Sequence, residues 1–229
     1  MWNKIQRIYV GSNLVRPKWQ PNANTWVYLP LNWDVKDYSW NGRNGSISGS
    51  FSYPSIWNIS VAQTGSTTSY INVPSYTADI STWFTISIWV KFINANSRWG
   101  VFQLSGSSSS VTIVRCQKHS SNDSFAFWSD RASSTPWVTG VGSNLQSWQH
   151  LAVAFDSTWF TVYRNGQYAG KSSKSLSWSH TASVWHQIWQ WPNISWSTAQ
   201  YSNYIIENKT RTADDALVCY ETFKSNYGL

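Results

Sequence analysis

The sequence predicts an all-β protein, a sandwich or a barrel of antiparallel strands. Three observations point there. A dozen or more short apolar runs recur along the 229 residues, separated by turn residues at regular spacing. Several runs alternate apolar and polar positions, the period of a half-buried strand. Helical periodicity is confined to the C-terminal stretch.

The elements follow in order. Ile5, Arg7 and Tyr9 alternate with Gln6, Ile8 and Val10; Gly11-Ser12-Asn13 then turns the chain into Leu14-Val15-Arg16, which Pro17 ends. Residues 1–17 thus read as an N-terminal β-hairpin and attachment segment, and residues 18–24, with Pro17 and Pro21 nearby, as a linker. The main domain spans 25–229. Its strand signals lie at Thr25–Leu31, Tyr70–Val73, Phe84–Phe92, Val101–Leu104, Val111–Cys116, Phe125–Phe127, His150–Phe155, Phe160–Tyr163, Val184–Trp189 and Tyr204–Glu207. In the third run Phe84, Ile86, Ile88, Val90 and Phe92 fall on one face. Asn165-Gly166 is a two-residue hairpin turn. Thr212-Ala213-Asp214-Asp215 opens a helix with a capping-box-like signal. Ala216, Leu217, Tyr220 and Phe223 share one face of it, and Gly228 stands where a C-cap falls.

Composition narrows the setting. Only 12% of residues are charged, so the polar surface rests on Ser, Thr and Asn, which suits an extracellular or particle-bound β protein. The net charge of +7 is scattered without a run of five or six, which gives no nucleic-acid patch. No stretch of 18 apolar residues is present, so no membrane span is expected. Met1-Trp2-Asn3-Lys4 leads into a strand without the apolar core of a signal peptide. A location on a cell surface, on a virion or in the medium would then be reached by another route. Cys116 and Cys219 have no metal-ligand spacing and read as two buried free thiols rather than a disulfide.

Eighteen tryptophans accompany only 12 glycines. Many tryptophans stand in turn contexts: Asn32-Trp33-Asp34, Ser39-Trp40-Asn41-Gly42, Ser157-Thr158-Trp159, Gln190-Trp191-Pro192. Such turns often need φ > 0, which suits glycine and not a bulky residue. Two explanations compete. Either the surface is unusually aromatic, or the gene comes from a lineage that reads UGA as glycine and tryptophan has been written for it.

Four segments carry a family resemblance. They are Tyr28-Leu29-Pro30-Leu31-Asn32 with Asp37-Tyr38-Ser39-Trp40-Asn41-Gly42-Arg43-Asn44-Gly45; Phe84–Lys91; Trp148–Asp156 running on to Val162–Gln167; and Tyr204–Asn208 with Thr212–Asp215. In this order they resemble the laminin G-like, concanavalin A-like lectin/glucanase domain in its bacterial and phage form, over residues 25 to 226. The resemblance implies an antiparallel jelly-roll β-sandwich. It places glycine where this chain has Trp33, Trp40, Trp159 and Trp191, and tryptophan at Trp89 and Trp148, which should be buried. The recoding explanation then expects TGA at the first four positions and TGG at the last two.

The fold also hosts glycoside hydrolases, which need two carboxylates across the scissile bond. The chain has two Glu, Glu207 and Glu221, and eight Asp, with no strand-borne acid pair; Asp214 and Asp215 sit at a helix start. His150 opens a core strand, and Cys116 with His119 lies at a spacing that puts them on opposite faces of a strand. No enzyme is expected. The resemblance allows Ca²⁺, with Asp37, Asn41 and Asn44 as hard oxygen ligands in one loop; the same residues suit Asx-turns. Tyr38, Trp137, Tyr168 and Trp185 are the candidate ligand-binding aromatics. The function expected is a non-catalytic module that binds a glycan or a surface protein. A larger virion or surface assembly would be joined through residues 1–17, and a purely structural role in such an assembly is the alternative.

Overall fold

A computed structural model describes residues 8–10, 13–15, 19–65, 69–79, 83–93, 99–106, 112–118, 124–128, 138–142, 144–156, 158–173, 181–188 and 198–229, and the structural statements below concern these. The strands are β1 (Ile8–Val10), β2 (Asn13–Val15), β3 (Thr25–Leu29), β4 (Ser46–Ser48), β5 (Phe51–Ser52), β6 (Ser55–Ile56) and β7 (Ile59–Ser60). They continue with β8 (Ala62–Thr64), β9 (Tyr70–Asp79), β10 (Phe84–Phe92), β11 (Trp99–Ser105), β12 (Thr112–Lys118) and β13 (Phe125–Trp128). The last are β14 (Val138–Val141), β15 (Gln149–Phe155), β16 (Trp159–Arg164), β17 (Gln167–Ser173), β18 (Thr181–Ile188) and β19 (Ala199–Glu207), before helix α1 (Ala213–Phe223).

All pairings are antiparallel. β1 and β2 pair as the N-terminal hairpin, Ile8 opposite Val15. An eight-stranded sheet runs β17-β16-β15-β10-β19-β8-β5, with β3 also on β19. A seven-stranded sheet runs β14-β13-β12-β11-β18-β9-β4. The two stack as a sandwich, the jelly roll the sequence predicts.

The alternation read from the sequence fills the space between the layers. Phe84, Ile86, Ile88, Val90 and Phe92 join Leu151, Val153, Phe155, Tyr204 and Ile206 from the first sheet. Ile71, Val73, Phe102, Leu104, Val114, Cys116, Phe125, Phe127 and Ile188 meet them from the second. Burial of each large side chain contributes about 1.5–3 kcal/mol. Cys116 and Cys219 are both buried free thiols.

Register shifts recur through the seven-stranded sheet, between β13 and β14, between β18 and β9, and twice between β11 and β12. Gly100 pairs with Gln117 and Phe102 with Cys116, so Val101 is an extra residue on β11. Leu104 pairs with Val114 and Ser105 with Thr112, so Ile113 is extra on β12. Consecutive residues at each bulge, Val101-Phe102 and Ile113-Val114, therefore reach the core.

Helix α1 covers the outer face of the eight-stranded sheet. Thr212 caps it: its hydroxyl accepts from Asp215 N, and the Asp215 side chain accepts from Thr212 N, the reciprocal arrangement the sequence signals. Ala216 packs on Ala152, Ala154 and Tyr163. Trp89 and Trp148, expected to be buried, are 0% and 6% exposed and stack with Tyr227, ring centroids 4.1 and 4.6 Å away. Asn165 and Gly166 both have positive φ, as the hairpin turn requires, and Gly166 lies against the Leu217 backbone of the helix.

Candidate functional site

The outer face of the seven-stranded sheet carries a transverse row of polar side chains. Asn72 lies between core residues Ile71 and Val73, Gln103 between Phe102 and Leu104, and Arg115 between Val114 and Cys116; Gln187 precedes core residue Ile188. Alternation therefore turns all four to the opposite face. Cα register aligns them strand by strand: Ser46 with Asn72, Asn72 with Gln187, Gln187 with Gln103, Gln103 with Arg115. Four strand spacings make the row about 19 Å long. Gln117 sits one alternation further along β12. Gln103 and Gln117 are each 7% exposed, and Gln103 Nε2 donates to Ser105 Oγ at 2.8 Å. Amides offer a donor and an acceptor each and the guanidinium offers donors only, so the row can pair with hydroxyls in either sense.

The loop from Asp37 to Asn44 is closed on itself. Asp37 Oδ1 accepts from Tyr28 N and Ser39 N, and Oδ2 from Ser39 Oγ and Arg43 N, at 2.9–3.0 Å. Asn44 Oδ1 accepts from Asp37 N, and Asn41 Nδ2 donates to Thr25 O and Ser39 Oγ. Arg43 Nη1 donates to Trp26 O, and its guanidinium lies 3.8 Å from the Tyr76 ring centroid. Ca²⁺ takes roughly six to eight oxygen ligands. The four acceptor positions of Asp37 are already filled by donors, so Asp37, Asn41 and Asn44 do not fit a calcium site in this geometry. Asp37 makes an Asx-turn to Ser39 N, Asn44 caps the Asp37 N–H, and Asn41 ties the loop to Thr25 O.

Charge is used structurally beneath α1. Glu207 Oε2 accepts from Arg211 Nε and Oε1 from Trp19 Nε1 at 2.8 Å. Burial opposes ionisation of Glu207, yet Arg211, Lys209 and the Trp19 bond hold its carboxyl below the usual carboxylate range. Glu221 is engaged by Lys224 at 2.8 Å. His150, fully buried against Trp89, is pushed down to about 3 by burial and by Arg211. It is a neutral packing element, as expected of a residue opening a core strand. Among the described residues no group of three His, Cys, Asp or Glu could hold a metal ion.

Of the candidate aromatics, Tyr38 and Tyr168 lie far apart. Tyr38 is exposed on the β3–β4 loop, 6.5 Å from the Tyr28 ring at the β3 edge. Tyr168 is exposed on β17, at the far edge of the same sheet. Trp185 belongs to β18 of the other sheet, where its backbone pairs with Ser105 beside the polar row. Trp137 lies outside the described residues, as does Trp191. The polar row itself escaped the sequence reading. Its signal was the amide or guanidinium at polar positions of Phe102-Gln103-Leu104 and Val114-Arg115-Cys116-Gln117, but only the sheet order aligns them. Trp19, in the segment read as a linker, donates to Glu207 and packs on Tyr28 and Phe223.

Comparison with known proteins agrees with this architecture. The profile of the concanavalin A-like lectin/glucanases superfamily matches residues 64–215. No curated protein matches the chain by sequence. Among solved structures, the binding domain of Paraclostridial Mosquitocidal Protein 1 superposes with a TM-score of 0.73 at 12% identity, over 89% of this chain and 53% of that one. The botulinum neurotoxin DC binding domain in complex with rat synaptotagmin II gives 0.71 at 12% identity, over 89% and 52%. Botulinum neurotoxin type C, whose cell entry depends on interaction with two ganglioside molecules, gives 0.69 at 14% identity, over 88% and 52%. The chain spans about half the length of these structures, and the likeness is one of fold.

Proposed function

The chain belongs to the concanavalin A-like lectin/glucanase superfamily, and from that premise we propose that it is a non-catalytic binding module for a glycan or a surface protein. The observation that carries this reading is the polar row Asn72, Gln187, Gln103 and Arg115 on the outer face of the seven-stranded sheet, opposite the layer that α1 packs on. Sugar hydroxyls match its mixed donors and acceptors, and a row about 14 Å long, or about 19 Å with Ser46 at its β4 end, suits an extended oligosaccharide better than a monosaccharide. The carboxylates support a non-catalytic role: Glu207 is buried in an ion pair, Glu221 is paired with Lys224, and Asp37 is saturated by donors. Two of the solved structures of the same fold meet gangliosides or synaptotagmin II, partners of the chemical classes proposed here. Display on a cell or virion surface, with the β1–β2 hairpin as attachment, is the setting that fits this reading.

A glycan array that includes neutral, sialylated and ganglioside-type oligosaccharides tests it. Saturable binding to a defined glycan, lost in the Q103A/R115A double variant, is the expected result. Silence across the array, with incorporation into a particle that depends on residues 1–17, would replace it with the structural role. Release of reducing sugar from a β-glucan would replace it with hydrolysis.

A further inference from the structure

We propose that Trp40 and Trp57 are glycines in the protein as its own cell makes it, because that cell translates UGA as glycine. The argument is backbone geometry. Among the described residues six that are not glycine have positive φ: Leu31, Trp40, Trp57, Asn144, Asn165 and Asn203. Asparagine is the residue most tolerated there after glycine; a bulky side chain is an outlier. Trp40 has φ 68° and Trp57 φ 48°.

Each conformation is imposed by its surroundings. Trp40 lies between Ser39 and Arg43, whose N–H groups both donate to the Asp37 carboxylate, so the chain must reverse tightly at this point. Gly42, two residues on, also has positive φ. Trp57 and Asn58 form the two-residue loop of the β6–β7 hairpin, with Ile56 opposite Ile59. Only the first loop residue has positive φ, which is the position where a type II′ hairpin takes glycine.

Nothing in the packing compensates for the strain. Trp40 is 78% exposed and Trp57, which rests against Gly228, is 79% exposed. Trp89 and Trp148 are the opposite case: they are buried in the second core with Tyr227, have no positive φ, and stand where the family resemblance has tryptophan. Two populations of one residue type, strained and exposed against relaxed and buried, fit two codons better than one selective pressure. Trp33 and Trp159 are exposed or half-exposed but without positive φ, so the geometry singles out Trp40 and adds Trp57. Glycine at these sites removes two exposed indoles from the surface, which leaves the amide row as the more credible contact face. The inference itself does not rest on the binding proposal.

The coding DNA and the mass of the native protein test it. The expected result is TGA at positions 40 and 57 with TGG at 89 and 148. The tryptic peptide Asp37–Arg43 from the source organism should weigh less than the written sequence by the difference between tryptophan and glycine. In the recombinant chain, Trp40→Gly and Trp57→Gly should each raise the thermal midpoint by about 2–4 °C, whereas Trp89→Gly should collapse it. TGG at 40 or 57, a tryptophan-bearing Asp37–Arg43 peptide, or a lowered midpoint in both glycine variants would overturn the proposal.

Discussion

Arg211 Nε meets Glu207 Oε2 at 2.6 Å in a pair that is at most 1% exposed, with Trp19 Nε1 on the second carboxylate oxygen. One residue of β19 is thereby joined to the segment before α1 and to a chain position 188 residues away. Removing one partner leaves an uncompensated buried charge. Arg211→Met or Glu207→Gln should cost about 3–5 kcal/mol in urea unfolding. Trp19→Phe, which removes one hydrogen bond and keeps the ring, should cost about 1–2 kcal/mol. A change below about 1 kcal/mol in Arg211→Met would mean the pair is not formed in solution.

The same pair makes stability depend on acid. The folded-state pKa of Glu207 lies below its ordinary value of 4.5, so its contribution is complete at neutral pH. It fades as pH falls through the ordinary carboxylate range and is gone below the depressed value. Glu207→Gln should flatten the unfolding free energy between about pH 5 and pH 3 relative to the parent, measured by urea titration at each pH.

His150 adds a second slope that begins at higher pH. Unfolded histidine takes up a proton near 6.5, and the buried one does so near 3. The unfolded chain therefore binds more protons across that window, and stability falls as pH drops from 6.5 towards 3. From pH 6.5 to pH 5 the loss is about 2 kcal/mol. His150→Gln should lower stability at pH 7 yet remove this part of the slope. An unchanged slope would place the imidazole in contact with water.

The loop chemistry predicts indifference to calcium. Chelation with EDTA, or addition of millimolar Ca²⁺, should leave the thermal midpoint within about 1 °C, since RT ln(1 + [L]/Kd) vanishes when nothing binds. Asp37→Ala, which strands four donors, should destabilise by about 2–4 kcal/mol. A clear rise in midpoint with Ca²⁺ would show that the loop opens to take the ion.

On the opposite face, Gln103→Ala with Gln117→Ala should weaken binding of any glycan found on the array by about tenfold or more. That corresponds to about 1.4 kcal/mol or more of lost hydrogen bonding. The cost in stability should stay near the loss of the buried Gln103–Ser105 hydrogen bond, about 1–2 kcal/mol, because both side chains face away from the space between the sheets. Equal binding by this variant would move the contact site away from the row.

Much of the fold was legible because its signals are local. The alternation of Phe84 to Phe92, the Asn165-Gly166 turn and the Thr212/Asp215 cap each specify an element within ten residues, and each element formed, although the alternating strand is buried on both faces rather than one, because Trp89 and its neighbours lie under the C-terminal segment. Strands β4 to β8 were not legible: they are two or three residues long, in a stretch rich in Ser, Asn and Gly, and while β6 and β7 form a local hairpin, β4, β5 and β8 pair with strands further along the chain, β9, β8 and β19. The polar row was hidden for a related reason. Asn72, Gln103, Arg115 and Gln187 come from four strands whose alignment depends on bulges at Val101 and Ile113 and on a register shift between Val73 and Tyr76, and of these only the last, at Pro74, leaves a local mark. Residue type gives no third coordinate either: Tyr38 and Tyr168, both chosen as candidate aromatics, sit at opposite margins of one sheet.

Trp19 N donates to Thr222 Oγ1, and Asn208 N to Asn24 O, so the stretch entering the sandwich and the helix closing it meet on one side. A linker fused ahead of residue 19 or behind α1 would emerge from that side alone. A partner docked on that side would leave the amide-bearing surface of the other sheet turned away from it, like the palm of a hand held out from the wrist.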